Sequence, residues 1–170
     1  HNDTIGLVPL FALTENGYKK IIELSSLSYL DNNETNEPYL NFSELLKPSN
    51  GVSLFSGSFN GLFGQLFEKG KFKEIEQLYL ELKSIYKDNF YIEIQRHGDA
   101  NENEFEKFNL SKSLTLEIPI IATNEVYYID KTMHEAHDAL ICIKDKTYIN
   151  EKNRLRLSDQ HYLKNNSEMS

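Results

Sequence analysis

Phe90-Tyr91-Ile92-Glu93-Ile94-Gln95 runs into Arg96-His97-Gly98, and Ile118-Pro119-Ile120-Ile121-Ala122-Thr123 runs into Asn124-Glu125-Val126-Tyr127-Tyr128. These two stretches decide the fold. Each is a β-branched or aromatic run that stops at a polar cluster, as a buried strand does. The residues between them are enough for a crossover helix. That order predicts parallel strands, whose carboxyl ends gather ligands. His97-Gly98 and Asn124-Glu125 are then expected side by side at one rim. Glu93 alternates with Ile92 and Ile94, so it is expected either inside a barrel lumen or turned away from the core.

Upstream, Ile5 to Leu13 reads as a strand, with Pro9 favouring an edge position or a local break. Thr14 or Asn16 caps a helix whose stripe is Ile21, Ile22, Leu24, Leu27 and Leu30. Asp31 to Pro38 is an acidic loop. Asn41 or Ser43 starts a short helix through Leu46, stopped by Pro48-Ser49-Asn50-Gly51. Val52 to Ser56 is a strand that enters the turn Gly57-Ser58-Phe59-Asn60-Gly61. Leu62 to Lys69 is a short helix closed by Gly70. The strongest periodicity is Phe72, Ile75, Leu78, Tyr79, Leu82, Ile85 and Tyr86, a helix that Asp88-Asn89 ends.

Downstream, Glu102 to Leu116 is a weaker helix carrying Phe105 and Phe108. Asp130 or Thr132 caps a helix from Met133 to Ile143. Asn153 to Leu157 is expected to be extended, and Ser158-Asp159-Gln160-His161 resembles an N-cap and first turn. The resulting order, β-α-α-β-α-α-β-α-β-α and a tail, argues for an α/β barrel or an open doubly wound sheet.

A chain of 170 residues is long enough for one domain with a real core. Its longest apolar runs are too short to span a bilayer. The start His1-Asn2-Asp3 lacks the basic and apolar pattern of a signal peptide. Cys142 is the only cysteine, which excludes an intrachain disulfide and fits a reducing cytoplasm. The net charge of −8, from 26 acidic and 18 basic residues, argues against stand-alone binding to a nucleic-acid backbone. The start at a strand and the finish at Ser167-Glu168-Met169-Ser170 lead us to expect a fragment of something longer.

Candidate chemistry is sparse. His97 is either a metal ligand and proton carrier or a polar loop histidine. Glu125 is a ligand for a hard cation, a base, or a helix cap. His134-Glu135-Ala136-His137 lacks the histidine spacing of an HExxH zinc helix, and a solvated face is the simpler expectation. Gly57, Gly61 and Gly64 do not form a dinucleotide-binding pattern, and Ser58 is expected to be a turn hydroxyl. No nucleophile elbow, Walker loop or CxxC pair is present.

In order along the chain, six motifs resemble those of the PHP (polymerase and histidinol phosphatase) domain of bacterial DNA polymerase III alpha subunits. Asn16-Gly17-Tyr18-Lys19-Lys20-Ile21-Ile22 resembles the family's TGYxNL, and Val52-Ser53-Leu54-Phe55-Ser56-Gly57 its GLIxLSG. Phe90 to Gly98 resembles FYxEIQxHG, and Ile118 to Glu125 resembles LPxVATND. Ala136-His137-Asp138-Ala139-Leu140 resembles AHExL. The stretch from Ser158 through Lys164 to Glu168-Met169 resembles the closing YLKxxxEM.

The resemblance implies a partial, distorted TIM-like β/α barrel. Residues 1–170 would be a single fragment of a PHP domain holding the later strands and helices. The opening HxHTxxS strand and the polymerase catalytic domains would be absent. The parent would be a DNA-directed DNA polymerase (a nucleotidyltransferase) of DNA replication, in the cytoplasm. The fragment alone is expected to be inactive.

Active relatives hold several metals on His, Asp, Glu and Cys side chains. Four such positions fall here. His97 is kept and Glu125 replaces an aspartate, so both are vestigial metal ligands. Ser58 replaces a cysteine and Tyr127 a histidine. No cofactor is therefore expected for the fragment. The expected role is structural support and docking of a proofreading exonuclease subunit, alongside the remainder of the alpha subunit. The alternative is a metal-dependent phosphoesterase, pyrophosphatase or exonuclease activity of an intact domain, using Zn, Mn or Mg.

Overall fold

The computed structural model describes residues 4–30, 38–47 and 49–169. The expected loop at residues 31–37, the start at residues 1–3, the Pro48 helix stop and the final Ser170 lie outside the described residues. The described residues form a mixed α/β structure with one four-stranded sheet, ordered β1-β2-β3-β4. The strands are β1 (Leu10–Ala12), β2 (Val52–Phe55), β3 (Phe90–Ile94) and β4 (Ile120–Ala122). The helices are α1 (Glu15–Leu30), α2 (Phe42–Leu45), α3 (Leu62–Glu68), α4 (Phe72–Tyr86), α5 (Glu102–Leu116), α6 (His134–Asp145) and α7 (Asn166–Met169). The chain divides into two compact units. The first is residues 1–94 with 105–121; the second is residues 95–104 with 122–170.

The first unit is built on the sheet. β2 runs parallel to β3, with Leu54 opposite Phe90 and Phe55 opposite Tyr91. All four β2 residues are buried, as expected of a strand covered on both faces. β1 pairs antiparallel to β2, with Leu10 opposite Leu54 and Ala12 opposite Val52. The strand expected over Ile5 to Leu13 is therefore only three residues long. Pro9 has no N–H to donate, and Ile5 and Leu7 stay exposed. The chain reaches β4 through Pro119, whose carbonyl accepts from the Ile92 amide at 2.9 Å.

Helix α4 follows its expected stripe except at two positions, Phe72, which is exposed, and Ile85, which is half-buried. Ile75, Leu78, Tyr79, Leu82 and Tyr86 are buried. Tyr79 packs its ring on Phe63 at 4.7 Å and donates its hydroxyl to Asn109 Oδ1 at 3.0 Å. Tyr86 donates to the Leu45 carbonyl at 3.0 Å. Each tyrosine thus buries its ring while keeping a partner for its polar tip. The α5 residues Phe105 and Phe108 stack around Phe67 at 5.3 and 5.4 Å.

Several glycines in this unit leave no room for a side chain, and Gly64 is the tightest. A Cβ on Gly64 of α3 would stand 1.7 Å from the Phe59 carbonyl oxygen and 2.4 Å from its carbon. Both are backbone atoms, so a helix or a turn must move. Gly64→Ala should destabilise the fold by at least about 1–3 kcal/mol, the usual cost of overpacking. Urea unfolding of the purified variant measures this, and an unchanged midpoint would refute it.

The second unit carries less regular structure. Asp130 caps the short 3-10 turn Lys131–Met133 by accepting from the Thr132 amide at 2.9 Å, and α6 follows directly. Lys146 ends α6 in a left-handed conformation at φ 54°. Asn153 to Leu157, expected to be extended, is irregular. There Arg154 turns onto α6 and grips the Asp138 carboxylate with both terminal nitrogens, at 2.6 and 2.7 Å. Ser158 to His161 does not open a helix; Tyr162 instead forms a parallel bridge with Tyr128.

Candidate functional site

The polar cluster of the second unit grows from the residues after β3. Gly98, at φ 81°, turns the chain sharply just before α5. The first residue of α5, Glu102, folds its carboxylate back into that turn. Its oxygens accept from the His97 amide at 3.0 and 2.9 Å and from the Gly98 amide at 2.7 Å. A carboxylate at a helix start is also favoured by the helix dipole. The turn is thereby held with His97 and Glu102 both buried.

The His97 ring is fixed from its other side. Its Nε2 lies 3.0 Å from Asn124 Oδ1. The Asn124 amide nitrogen donates to the Tyr162 carbonyl at 2.7 Å and the Gln160 carbonyl at 3.4 Å, which settles the orientation of the amide. Asn124 Oδ1 can only accept, so His97 Nε2 carries the proton. His97 Nδ1 then bears a lone pair, and it faces Glu102 Oε1 at 3.8 Å. Burial holds the His97 pKa below the ordinary histidine value; neighbouring His161 pushes the same way, against the pull of Asn124 and Glu102. His97 is thus neutral at neutral pH.

His161 stacks on His97 with ring centroids 4.0 Å apart, and its Nδ1 donates to the Glu125 carbonyl at 2.9 Å. The Glu125 side chain points elsewhere. It is exposed and accepts the Tyr127 hydroxyl at 2.6 Å. That bond raises the Tyr127 pKa to about 12, with burial adding to it. His97 and Glu125 therefore share a compact unit and are linked through His161, but the Glu125 carboxylate is committed to Tyr127. Asp99 completes the group: His97, Asp99 and Glu102 present ligand atoms all within 4.8 Å of one another.

His134 and His137 are half-buried beside aromatic neighbours instead of lying on a solvated face. His134 Nε2 donates to the Leu157 carbonyl at 2.9 Å. His137 stacks on Tyr127 at 5.3 Å. Ser58 belongs to the first unit, in the turn after β2, where its carbonyl accepts from the Gly61 amide at 2.9 Å.

Asn124, expected beside His97 at one rim, lies there with its Oδ1 3.0 Å from His97 Nε2, whereas Asp99, Glu102 and His161 are not singled out as site residues by sequence reasoning. The available signal was the spacing His97, Asp99, Glu102 at the start of a helix, which reads equally well as ordinary first-turn acidity.

Comparison with known proteins adds a lineage. The model of the PHP domain family matches residues 3–97. A DNA polymerase III subunit alpha from Caulobacter vibrioides is 35% identical over 160 residues, which cover 94% of this chain and 14% of that protein. The proteins of the same name from Rickettsia prowazekii and Borreliella burgdorferi are 33% and 29% identical, again over 94% of this chain and 14% of theirs. The chain thus spans about one-seventh of the length of these relatives.

Proposed function

The chain belongs to the PHP domain family, and from that premise we propose that it serves a bacterial replicative DNA polymerase III alpha subunit as a supporting and docking module. It is read as one partial domain, whose four-stranded sheet is the later part of a distorted TIM-like barrel. Its partners are the remainder of the alpha subunit and a proofreading exonuclease subunit. The acidic surface leaves DNA contact to other regions, and the setting is the cytoplasm.

One observation carries the loss of hydrolysis. The donors at the family's metal positions do not fit a multinuclear site. Ser58 offers no thiolate, and Tyr127 spends its hydroxyl on Glu125 at 2.6 Å. His97 and Glu125 are the vestiges of that set. Metal-assisted hydrolysis needs several ligands at fixed geometry to activate water and clamp a phosphoryl group, and the supporting groups here serve other bonds. No reaction step is therefore assigned to them.

The alternative is a metal-dependent phosphoesterase, pyrophosphatase or exonuclease activity of an intact PHP domain, and the intact domain of the parent separates the two. Incubated with Zn2+, Mn2+ or Mg2+, it should turn over neither a phosphodiester nor pyrophosphate. Turnover abolished by His97→Ala would overturn the docking assignment. A failure to co-purify with the proofreading exonuclease in the context of the alpha subunit would remove the partner.

A further inference from the structure

We propose that Asn50 is a spontaneous modification site, where the Gly51 amide closes on the asparagine side chain and leaves an aspartate or an isoaspartate just ahead of β2. The inference goes beyond the docking role and does not rest on it.

The chain has three Asn-Gly pairs, Asn16-Gly17, Asn50-Gly51 and Asn60-Gly61. In each, the glycine has no side chain to hinder attack by its own amide nitrogen on the preceding residue. The attack needs that nitrogen free and the asparagine able to swing. All three asparagines are exposed, so exposure does not choose between them. Their glycine amides do. Asn16 lies in the first turn of α1, and the Gly17 amide donates to Thr14 Oγ1 at 3.1 Å. The Gly61 amide donates to the Ser58 carbonyl at 2.9 Å. Among the described residues the Gly51 amide makes no hydrogen bond, and neither does the Asn50 side chain. Asn50 also stands in a turn, outside helix and strand.

The step balances with water as the only co-reactant. The deprotonated Gly51 nitrogen attacks Asn50 Cγ and closes a five-membered imide. The Cγ–Nδ2 bond breaks, and ammonia leaves with the proton that the amide gave up. Water then opens the ring. Opening at Cγ leaves aspartate. Opening at the main-chain carbonyl routes the chain through the side chain, as isoaspartate, and adds one methylene to the backbone. Nothing is oxidised or reduced.

The surroundings turn that methylene into a structural event. Gly51 is wedged against the start of α1. A Cβ on it would stand 2.0 Å from Thr14 Oγ1, and a Cβ on Gly17 would stand 1.8 Å from the Gly51 carbonyl oxygen. The same oxygen accepts the Leu13 amide at 2.7 Å, which continues the β1–β2 pairing one step past Ala12 and Val52. Isoaspartate at position 50 pushes Gly51 out of this seat, so the end of β1 loses its hold on both β2 and α1. Either product adds a negative charge to a chain already at −8.

The test is incubation of the full chain under reducing, mildly alkaline conditions, followed by peptide mapping with mass spectrometry. Aspartate and isoaspartate should accumulate at position 50 at least about fivefold faster than at Asn16 or Asn60, whose glycines must first give up a hydrogen bond. The rate should rise with pH as the Gly51 amide deprotonates. The aged chain should unfold at lower urea than the fresh chain. Asn50→Gln lengthens the side chain beyond a five-membered closure and removes no hydrogen bond, so it should fold as the parent does and keep its fresh midpoint after the same incubation. Conversion at Asn16 or Asn60 ahead of Asn50 would overturn the proposal. So would aspartate without isoaspartate at position 50, or an aged Asn50→Gln chain that loses as much stability as the aged parent.

Discussion

Phe63→Ala should cost the first unit about 3–5 kcal/mol, the range for emptying a buried phenylalanine site. Phe63 is 0% exposed. Its ring meets Tyr79 at 4.7 Å and the edge of Phe42 at 6.5 Å, so α2, α3 and α4 all lose packing at once. Tyr79 cannot simply collapse into the space, because its hydroxyl is committed to Asn109 at 3.0 Å. Against a typical stability of about 5–15 kcal/mol, the loss takes a large share of what holds the unit together. Urea titration should show a lower midpoint at an unchanged slope. Leu114→Ala, at a position 81% exposed, is the control and should stay within about 0.5 kcal/mol of wild type. A Phe63→Ala loss no larger than that of the control would refute the placement of Phe63 at the centre of the core.

Asp138→Ala should act as strongly on the second unit, and its effect should depend on pH. The Asp138 carboxylate takes both terminal nitrogens of Arg154, which in turn donates to the Ile149 carbonyl at 3.1 Å and the Leu155 carbonyl at 3.2 Å. Removing the carboxylate leaves a buried guanidinium without its counter-charge, the costly half of breaking such a pair. Hydrogen bonding from Arg154 holds the Asp138 pKa below the ordinary aspartate value. A carboxylate depressed in the folded state adds stability above its unfolded pKa, near 3.9, and loses it as pH falls through the folded value. The gap between wild type and Asp138→Ala should therefore be full at neutral pH and shrink below about pH 4. Amide exchange of α6 followed against pH measures it, with rates in the variant at least about tenfold faster at pH 7. A gap that stays constant down to pH 2 would refute the role assigned to the pair.

The elements legible in the sequence were those whose pattern is local. α4 was readable because most of its apolar stripe, from Ile75 to Tyr86, faces one core and tertiary packing does not override it. β2 and β3 were readable as apolar runs bounded by turn residues. β1 was overestimated, because apolar residues at Ile5 and Leu7 imitate a strand that Pro9 keeps from extending. The segment from Asn153 to Leu157 was misjudged for a different reason. Its shape follows Arg154 reaching Asp138 sixteen residues back, and no periodicity records such a pairing. The site divides in the same way. His97 and Asn124, which sets its tautomer, were visible at the ends of two strands. His161, which stacks on His97, arrives from far along the chain. Glu102 looked like first-turn acidity because that is half of what it is.

The first unit is discontinuous in the chain: it is left after Ile94, rejoined at Phe105 and left again after Ile121. Residues 95–104 are therefore an insertion with both ends anchored, one by β3 and one by α5. Closing so short an excursion costs little entropy. A single cut within it would strand Phe105 and Ile118, two members of the first core, on the other piece. Yet the ten residues carry His97, Asp99 and Glu102 without supplying a side chain to that core. Substitution inside this cassette can therefore change the polar turn after β3 without removing a side chain from the first core.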